Sequence, residues 1–189
     1  MRRDTERIFD EYLAAAARTG DRAAWERLVA RWHPRLLRHA RRLTGHPEQA
    51  QDMVQEAWLE ILRGLRRLDD VAAFPAWAFR IVTRRCQRAF QHADKERRGI
   101  AELTREAEDS APEAASGESA AELANVMAAM HELPAAQHVV LALFYLDNLS
   151  VAEISIALDV PPGTVKTRLM HARRKIRARL EGETDEQDG

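Results

Sequence analysis

The stretch LSVAEISIALDVPPGTVKTRLMHARRKIRARL, Leu149 to Leu180, decides the fold. Ser150 followed by Glu153 is a capping box, which marks the start of a helix. The apolar residues that can face inward on this first helix are Ala152, Ile154, Ala157 and Leu158. A turn with Asp159 and Val160 leads to a second helix, whose apolar residues Val165, Leu169, Ala172 and Ile176 recur every three or four positions. This pattern predicts a helix-turn-helix.

The second helix of the motif is the predicted recognition helix, since that helix enters the major groove of DNA in such motifs. Polar side chains near its start suit base edges, and cations further along suit phosphates. The predicted DNA contacts are Thr164, Lys166, Thr167, Arg168, Met170, His171 and Arg174. A basic, solvated helix that ends a bundle is the alternative, because helix C-termini favour Lys and Arg through the helix dipole.

The composition of the 189-residue chain favours an all-α fold, because helix formers abound and strand formers are few. No apolar run reaches the roughly 18 residues of a membrane span, and charges interrupt the first residues, MRRDTERIFDEYL. We therefore expect a cytoplasmic protein. Cys86 is the only cysteine and is expected to be a buried thiol. The residues show no catalytic triad, phosphate loop or metal-ligand spacing, so no enzyme activity, cofactor, metal or small-molecule substrate is expected.

The charges are segregated along the chain. Residues 1–98 carry 21 Lys and Arg against 14 Asp and Glu, whereas residues 99–135 carry 1 against 8. Residues 136–180 carry 7 against 3, and the tail from Glu181 carries 0 against 5. Residues 99–119 lack apolar periodicity and are rich in Glu, Ala, Ser, Gly and Pro, as in a flexible linker. We predict two small helical domains, 1–98 and 120–181, joined by this acidic linker and followed by an acidic tail, 182–189. Basic blocks suggest polyanion binding, although solvated helical faces would also explain them.

Four amphipathic helices are predicted before the linker, from apolar residues at helical spacing. The first carries an apolar stripe formed by Ile8, Phe9, Tyr12, Leu13 and Ala16. On the third, the residues opposite its apolar side are Asp52, Gln55, Glu56 and Leu59, which suit a protein interface or a solvated surface. One side of the fourth carries Arg80, Arg84, Gln87, Arg88 and Gln91.

Four segments in one order carry a resemblance to a known family. They are GDRAAWERLVARWHPRLLRHARRLTG, EQAQDMVQEAWLEIL, FPAWAFRIVTRRC and ELPAAQHVVLALFYLDNLSVAEISIALDVPPGTVKTRLMHARRKIR. From about Gly20 to Leu180 the chain resembles an extracytoplasmic-function (ECF) sigma factor of bacterial RNA polymerase. The first three segments resemble sigma region 2 and the last resembles region 4. The resemblance implies a factor that binds core RNA polymerase, recognises promoter DNA and starts transcription, often restrained by an anti-sigma factor.

The resemblance also implies roles for individual segments. The helix containing DMVQEAWL would be the docking face for the polymerase clamp, formed by Asp52, Gln55, Glu56 and Leu59. The Arg/Gln side of the fourth helix and the loop 68–73 would engage the promoter element nearer the start site and open its strands. Arg84 stands where relatives commonly carry Asn, and Asp159 where Gly is usual. A helix-turn-helix regulator that binds DNA without polymerase is the main alternative, and a protein-only adaptor is a further one.

Overall fold

The computed structural model describes the backbone of residues 2–99, 126, 128–130 and 132–187, and the side chains of residues 5–89, 126, 128–130 and 132–180. The predicted linker, most of the predicted helix around Glu122 and the side chains of the tail lie outside these residues. The α-helices are α1 (Arg2–Arg18), α2 (Arg22–Thr44), α3 (Pro47–Gly64), α4 (Phe74–Gly99), α5 (Ala135–Tyr145), α6 (Val151–Leu158) and α7 (Pro162–Gln187). Two 3-10 turns, Leu65–Arg67 and Val71–Ala73, precede α4. Because the described residues contain no strand, the all-α prediction is confirmed.

Local sequence signals set the helix ends. The side chain of Asp21 accepts a hydrogen bond of 3.0 Å from the backbone N–H of Ala24 and caps α2, as expected for Asp at a helix start. Gly45 ends α2 in the left-handed conformation, with φ of 70°, where a residue without Cβ is unstrained. Pro47 then begins α3 at a position where a missing N–H costs no helical hydrogen bond.

Aromatic rings from α2 and α4 fill the core of the first four helices. Trp32 is 1% exposed and meets the rings of Phe74 and Phe79 edge-on, with centroids 5.3 and 5.8 Å apart. Edge-to-face pairs of this kind add to the stabilisation from apolar burial. Because α2 and α4 pack through these rings, the polar side of α4 is left at the surface.

The predicted stripe of α1 is only partly correct. Leu13 is buried, but Ile8, Phe9 and Tyr12 are exposed. The buried neighbour on this helix is instead the carboxylate of Asp10, whose Oδ1 accepts a hydrogen bond of 2.8 Å from Nε of Arg31. The buried side of α1 therefore contains the ion-paired carboxylate of Asp10, where the apolar pattern predicted hydrophobic residues only.

The last three helices pack directly against the first four. Helix α6 runs against α4, and α5 contacts α2. The buried apolar residues of both sets form one continuous cluster. None of the helices in the described part of the chain is both long and apolar enough to cross a membrane.

Candidate nucleic-acid and protein interfaces

The helix-turn-helix has the local geometry that the sequence predicts. The hydroxyl of Ser150 accepts from the backbone N–H of Glu153 at 3.2 Å, and the Glu153 carboxylate accepts from the N–H of Ser150 at 2.7 Å. Both halves of the capping box are thus present. Ile154 and Ala157 are buried as predicted, whereas Ala152 is exposed, because it lies one turn before the exposed Ile156, on the side of the helix away from the core.

The turn between α6 and α7 depends on Asp159, which ends α6 in the left-handed conformation with φ of 57° and ψ of 45°. An L-residue with a Cβ is disfavoured there, and Asp and Asn tolerate the conformation better than most. The hydroxyl of Ser155 donates to the carbonyl of Val160 at 2.6 Å and closes the turn. The α7 helix then starts at Pro162.

The outer side of α7 presents the residues predicted to contact DNA. The exposed ones are Lys166, Thr167, Met170 and Arg174, and the half-buried ones are Thr164, Arg168 and His171. On the inner side, Val165, Leu169 and Ala172 are buried against the rest of the fold. The motif thus holds a polar and basic surface on a rigid helix, as direct base readout requires.

Arg173, also on α7, is engaged within the protein. Its guanidinium lies 5.4 Å from the ring centroid of Phe144 and 5.6 Å from that of Tyr145, and its Nε donates to the Tyr145 hydroxyl at 3.0 Å. These contacts hold α7 against the end of α5. Sequence spacing alone would place Arg173 among the solvent-facing cations.

The predicted polymerase-docking residues share the outer side of α3. Asp52, Gln55, Glu56 and Leu59 are all exposed. Leu59 is 54% exposed, and the neighbouring Leu62 is 51% exposed. The opposite side of the helix buries Val54, Ala57 and Ile61. The helix therefore shows an acidic and amide surface that contains two uncovered leucines.

Glu56 is paired, which the sequence did not indicate. Nη1 of Arg85, from α4, lies 2.5 Å from Oε2 of Glu56, and Nη2 lies 2.8 Å from Oε2 of Glu60. The hydrogen bond with Glu60, followed by that with Glu56, raises the pKa of Arg85. The predicted docking surface on α3 is thus tied to α4 by an ion-pair network at a partly exposed position.

The side of α4 that is predicted to contact DNA carries some polar residues that are paired within the protein and others that are exposed. Gln87 and Arg88 are exposed. Nη2 of Arg80 lies 3.0 Å from Oδ1 of Asp159, and Nη2 of Arg84 lies 3.8 Å from Oδ2 of the same residue. Gln91 lies on the same helix, but its side chain is outside the described residues. The helix-turn-helix therefore contacts two of the five predicted DNA contacts on α4.

The loop 68–73 is held by a contact from α1. The guanidinium of Arg18 donates to the carbonyl of Leu68 at 2.9 Å, and the side chain of Asp70 accepts from the N–H of Ala72 at 2.9 Å. These bonds fix the loop at the start of α4. Sequence reasoning missed Arg18, because a single arginine on an amphipathic helix carries no signal of a carbonyl partner 50 residues away.

A buried ion pair joins α2 to the end of α5. Nη1 of Arg42 lies 3.2 Å from Oδ2 of Asp147, and the two side chains are 12% and 0% exposed. Burial raises the pKa of the Asp147 carboxyl and lowers that of the Arg42 guanidinium, while their mutual attraction acts in the opposite direction on both. No local sequence pattern distinguishes these two residues from surface charges.

Comparison with known proteins gives matches over nearly the whole chain. The family model for Sigma-70 region 2 matches residues 28–96, and that for Sigma-70, region 4 matches residues 123–176. The chain is 34% identical to the ECF RNA polymerase sigma factor SigM of Mycobacterium tuberculosis, over 92% of this chain and 85% of that protein. It is 28% identical to the ECF RNA polymerase sigma factor SigW of Bacillus subtilis, over 85% of this chain and 91% of that protein.

Two solved structures share the fold. The structure of CnrH in complex with the cytosolic domain of CnrY has a TM-score of 0.61 at 25% identity, covering 92% of this chain and 98% of that chain. The structure of the sigma factor RpoE in complex with the anti-sigma factor NepR, from Bartonella quintana, has a TM-score of 0.63 at 19% identity. The match covers 83% of this chain and 96% of that chain. The second likeness is evidence of fold alone.

Proposed function

The chain belongs to the ECF sigma factors of the sigma-70 family, and from this premise we propose how its parts share the work of promoter-specific transcription initiation. Residues 1–98 form a region 2-like domain that docks on core RNA polymerase and engages the promoter element nearer the start site. Residues 99–119 connect it to a region 4-like domain, residues 120–181, which reads the upstream element. Residues 182–189 form a tail to which we assign no role.

The outer surface of α7 is the observation that best supports the role of the second domain in reading promoter DNA. A capped helix-turn-helix holds it rigidly, and it combines hydroxyl, thioether, imidazole and cationic side chains. Arg168, nearer the start of the helix, suits bidentate contact with guanine, and Arg174, less than two turns further on, suits a phosphate. We therefore propose that the start of α7 reads the bases and that its later part binds phosphates, which positions the helix on the DNA.

The α3 surface is the proposed docking site for polymerase. Exposed carboxylates and amides beside Leu59 and Leu62 combine charge, which speeds and orients association, with apolar area that is covered in the complex. Such a surface has no use in a regulator that contacts only DNA.

The α4 side chains Arg80, Arg84, Gln87, Arg88 and Gln91 are the proposed contacts to the downstream element. Cations in a row suit the phosphates of a single strand, and the loop 68–73 beside them offers a place for an unstacked base. Because Arg18 fixes that loop, we propose that Arg18 positions it for strand opening.

The remaining assignments follow from the family. The chain itself catalyses no reaction, and RNA synthesis belongs to the polymerase. Its place of action is the cytoplasm, where the polymerase and the promoter DNA are. An anti-sigma factor is a further proposed partner, since a sigma factor of the same fold was solved with one.

The test is charge reversal on the docking surface, by Asp52→Lys alone and together with Glu56→Lys. Because Asp52 is exposed, its reversal should change the free energy of unfolding by no more than about 0.5 kcal/mol. The double variant also loses one exposed partner of Arg85 and should cost about 1 kcal/mol, while Glu60 keeps its bond. Against a basic polymerase surface, the two lysines should weaken association by a few kcal/mol, on the order of 100-fold or more.

The matched control is the double variant Glu6→Lys with Glu26→Lys, an equal charge reversal at exposed positions on α1 and α2. We expect the control to co-purify with core polymerase and to support promoter-specific transcription, and the double variant to do neither while keeping its helical circular dichroism. Equal polymerase binding by the two folded variants would show that the docking surface lies elsewhere.

A further inference from the structure

A single arginine, Arg85, joins two helices that face different partners. It lies on α4 between Arg84 and Arg88, which are exposed and are proposed contacts to promoter DNA. Its own side chain points towards α3, where it pairs with the carboxylates of Glu56 and Glu60. Arg85 therefore connects the helix that is proposed to dock on polymerase with the helix that is proposed to bind promoter DNA.

The hydrogen bonds of Arg85 are divided unequally between the two carboxylates. Nε and Nη2 both donate to Oε2 of Glu60, at 3.1 and 2.8 Å, whereas Nη1 alone donates to Oε2 of Glu56, at 2.5 Å. The side chain of Glu56 is also the more exposed of the two, at 53% against 45%. A cation of the polymerase can therefore bind Glu56 while Glu60 still holds Arg85.

The Arg85 bridge is one of two close contacts between α3 and α4. The other is at Gly64, where a Cβ would lie only 2.8 Å from Cζ2 of Trp77. Glu56 and Gly64 are eight positions apart on α3, and so are Trp77 and Arg85 on α4. The two contacts therefore lie about 12 Å apart on antiparallel helices. Two contacts at this distance fix the angle between the helices, which a single contact would not do.

The bridge is not needed to hold the fold together. The side chain of Arg85 is 28% exposed, and ion pairs at such positions contribute little to stability. The packing of α3 depends instead on Val54, Ala57 and Ile61, which are fully buried. Loss of the bridge should therefore leave a folded protein in which the position of α4 on α3 is less precisely fixed.

We propose that Arg85 is a positioning residue for promoter opening: held by Glu60, it fixes α4 relative to the polymerase on which α3 docks. Contacts to phosphates set the register of a protein on DNA, so Arg84 and Arg88 then meet the strand at a defined distance from the polymerase. Glu60 is the anchor of the bridge, and Glu56 is the carboxylate that the polymerase binds. These roles rest on the proposed functions of α3 and α4.

The test compares polymerase association with promoter opening for Arg85→Gln and Glu60→Gln. Association is measured by titrating the fluorescently labelled, full-length chain with core polymerase. Opening is measured at saturating core polymerase, as the rate at which permanganate-reactive thymines appear on a promoter fragment identified by run-off transcription. Neither variant should weaken association by more than about twofold, because Asp52 and Glu56 remain. Both should open the promoter about 3- to 10-fold more slowly, because α4 is less precisely placed.

Control variants separate positioning from a loss of charge. Arg27→Gln removes an exposed cation from α2 and should open the promoter as fast as the parent does. Arg85→Lys keeps the charge and one bond to Glu60, so its rate should lie between those of the parent and Arg85→Gln. The double variant of Arg85→Gln with Glu60→Gln should be no slower than either single variant, because both substitutions remove the same contact.

A promoter fragment whose strands are already separated by mismatches provides the readout that a purely structural defect would not change. On this fragment Arg85→Gln should initiate transcription within about twofold of the parent. A folded Arg85→Gln variant that opens the duplex promoter at the parental rate, or a slow one that the mismatched fragment does not rescue, would overturn the proposal.

Failure of the underlying functions gives different results. If Asp52→Lys binds core polymerase as tightly as the parent does, α3 does not dock there. If Arg84→Ala with Arg88→Ala opens the promoter at the parental rate, α4 is not the DNA contact. In either case the measured effect of Arg85→Gln on opening stands separately.

Discussion

Acidification should destabilise the fold through one buried histidine, His39. This residue on α2 is fully buried, and its Nε2 lies 2.9 Å from Oγ1 of Thr83 on α4. The single hydroxyl proton of Thr83 is donated to the carbonyl of Phe79 at 2.9 Å, so Oγ1 accepts from the Nε2–H of His39. Nδ1 is then the unprotonated nitrogen, and it has no hydrogen-bond partner. The site is built for a neutral imidazole.

The size of the effect follows from the pKa of His39. Burial, and after it the nearby charge of Arg42, lowers this pKa from 6.5 to about 3. Below pH 6.5 the unfolded chain therefore binds a proton that the folded chain refuses, and stability falls as the pH falls towards 3. Above pH 6.5 the residue makes no pH-dependent contribution. Well inside this window each pH unit costs about 1.4 kcal/mol, so acidification from pH 6.5 to 4.5 should cost about 2 kcal/mol.

Urea unfolding followed by circular dichroism measures this loss. His39→Gln can still donate a hydrogen bond to Thr83 but does not titrate, so its free energy of unfolding should fall less steeply with acidification. The difference in that free energy between the parent and His39→Gln should shrink by about 2 kcal/mol between pH 6.5 and 4.5. The exposed His46→Gln is the control and should follow the parent. If the free energy of unfolding depends on pH in the same way for the parent and for His39→Gln, then His39 is not held neutral in the folded protein.

Three further predictions concern packing, DNA readout and the thiol. A Cβ at Gly64 would lie 2.8 Å from Cζ2 of Trp77, so Gly64→Ala should destabilise the protein by about 1 to 3 kcal/mol in urea unfolding. Gly163→Ala, at an open position in the first turn of α7, should be neutral or stabilising by up to about 1 kcal/mol. In the polymerase complex, Arg168→Ala should weaken promoter binding by about 1 to 3 kcal/mol, unequally among upstream-element variants, whereas Arg174→Ala should weaken all variants alike. Burial raises the pKa of Cys86 to about 12, so iodoacetamide should modify it only as fast as the protein unfolds, as mass spectrometry of timed samples would show.

Features that depend on neighbouring residues in the chain were predictable. The capping box of Ser150 and Glu153, the turn at Asp159 and the inward side of α7 all follow from spacings of one helical turn or less. The same holds for the outer side of α3, because Val54, Ala57 and Ile61 fix which side is buried. The spacing of residues along the chain determines a helix and its faces, so these features could be predicted from spacing alone.

The first helix shows where periodicity is insufficient. Its apolar residues Ile8, Phe9 and Tyr12 suggested a buried stripe, yet the protein buries Asp10 there. The carboxylate can be buried because Arg31 and Arg35, from α2, approach it at 2.8 and 3.5 Å. Spacing along α1 contains no information on which charges a neighbouring helix will supply.

Contacts between the two halves of the chain could not be predicted from the sequence either, because local spacing does not show which distant residues meet. Arg42 and Asp147 are separated by 105 positions, and each alone resembles an ordinary surface charge. The departure at Asp159 was visible as an unusual turn residue, but its partners Arg80 and Arg84 were assigned only to DNA. The fold was thus needed to show that Asp159 contacts Arg80 and Arg84 on α4.

This chain acts on DNA as the specificity factor of a polymerase, and run-off transcription on a library of genomic fragments is the decisive experiment. It compares core polymerase alone, the chain alone and both together. We expect transcripts with defined starts only when both are present, and no sequence-specific footprint by the chain alone. If the chain alone gives a symmetric operator footprint and does not make core polymerase more selective, it is a conventional helix-turn-helix regulator instead.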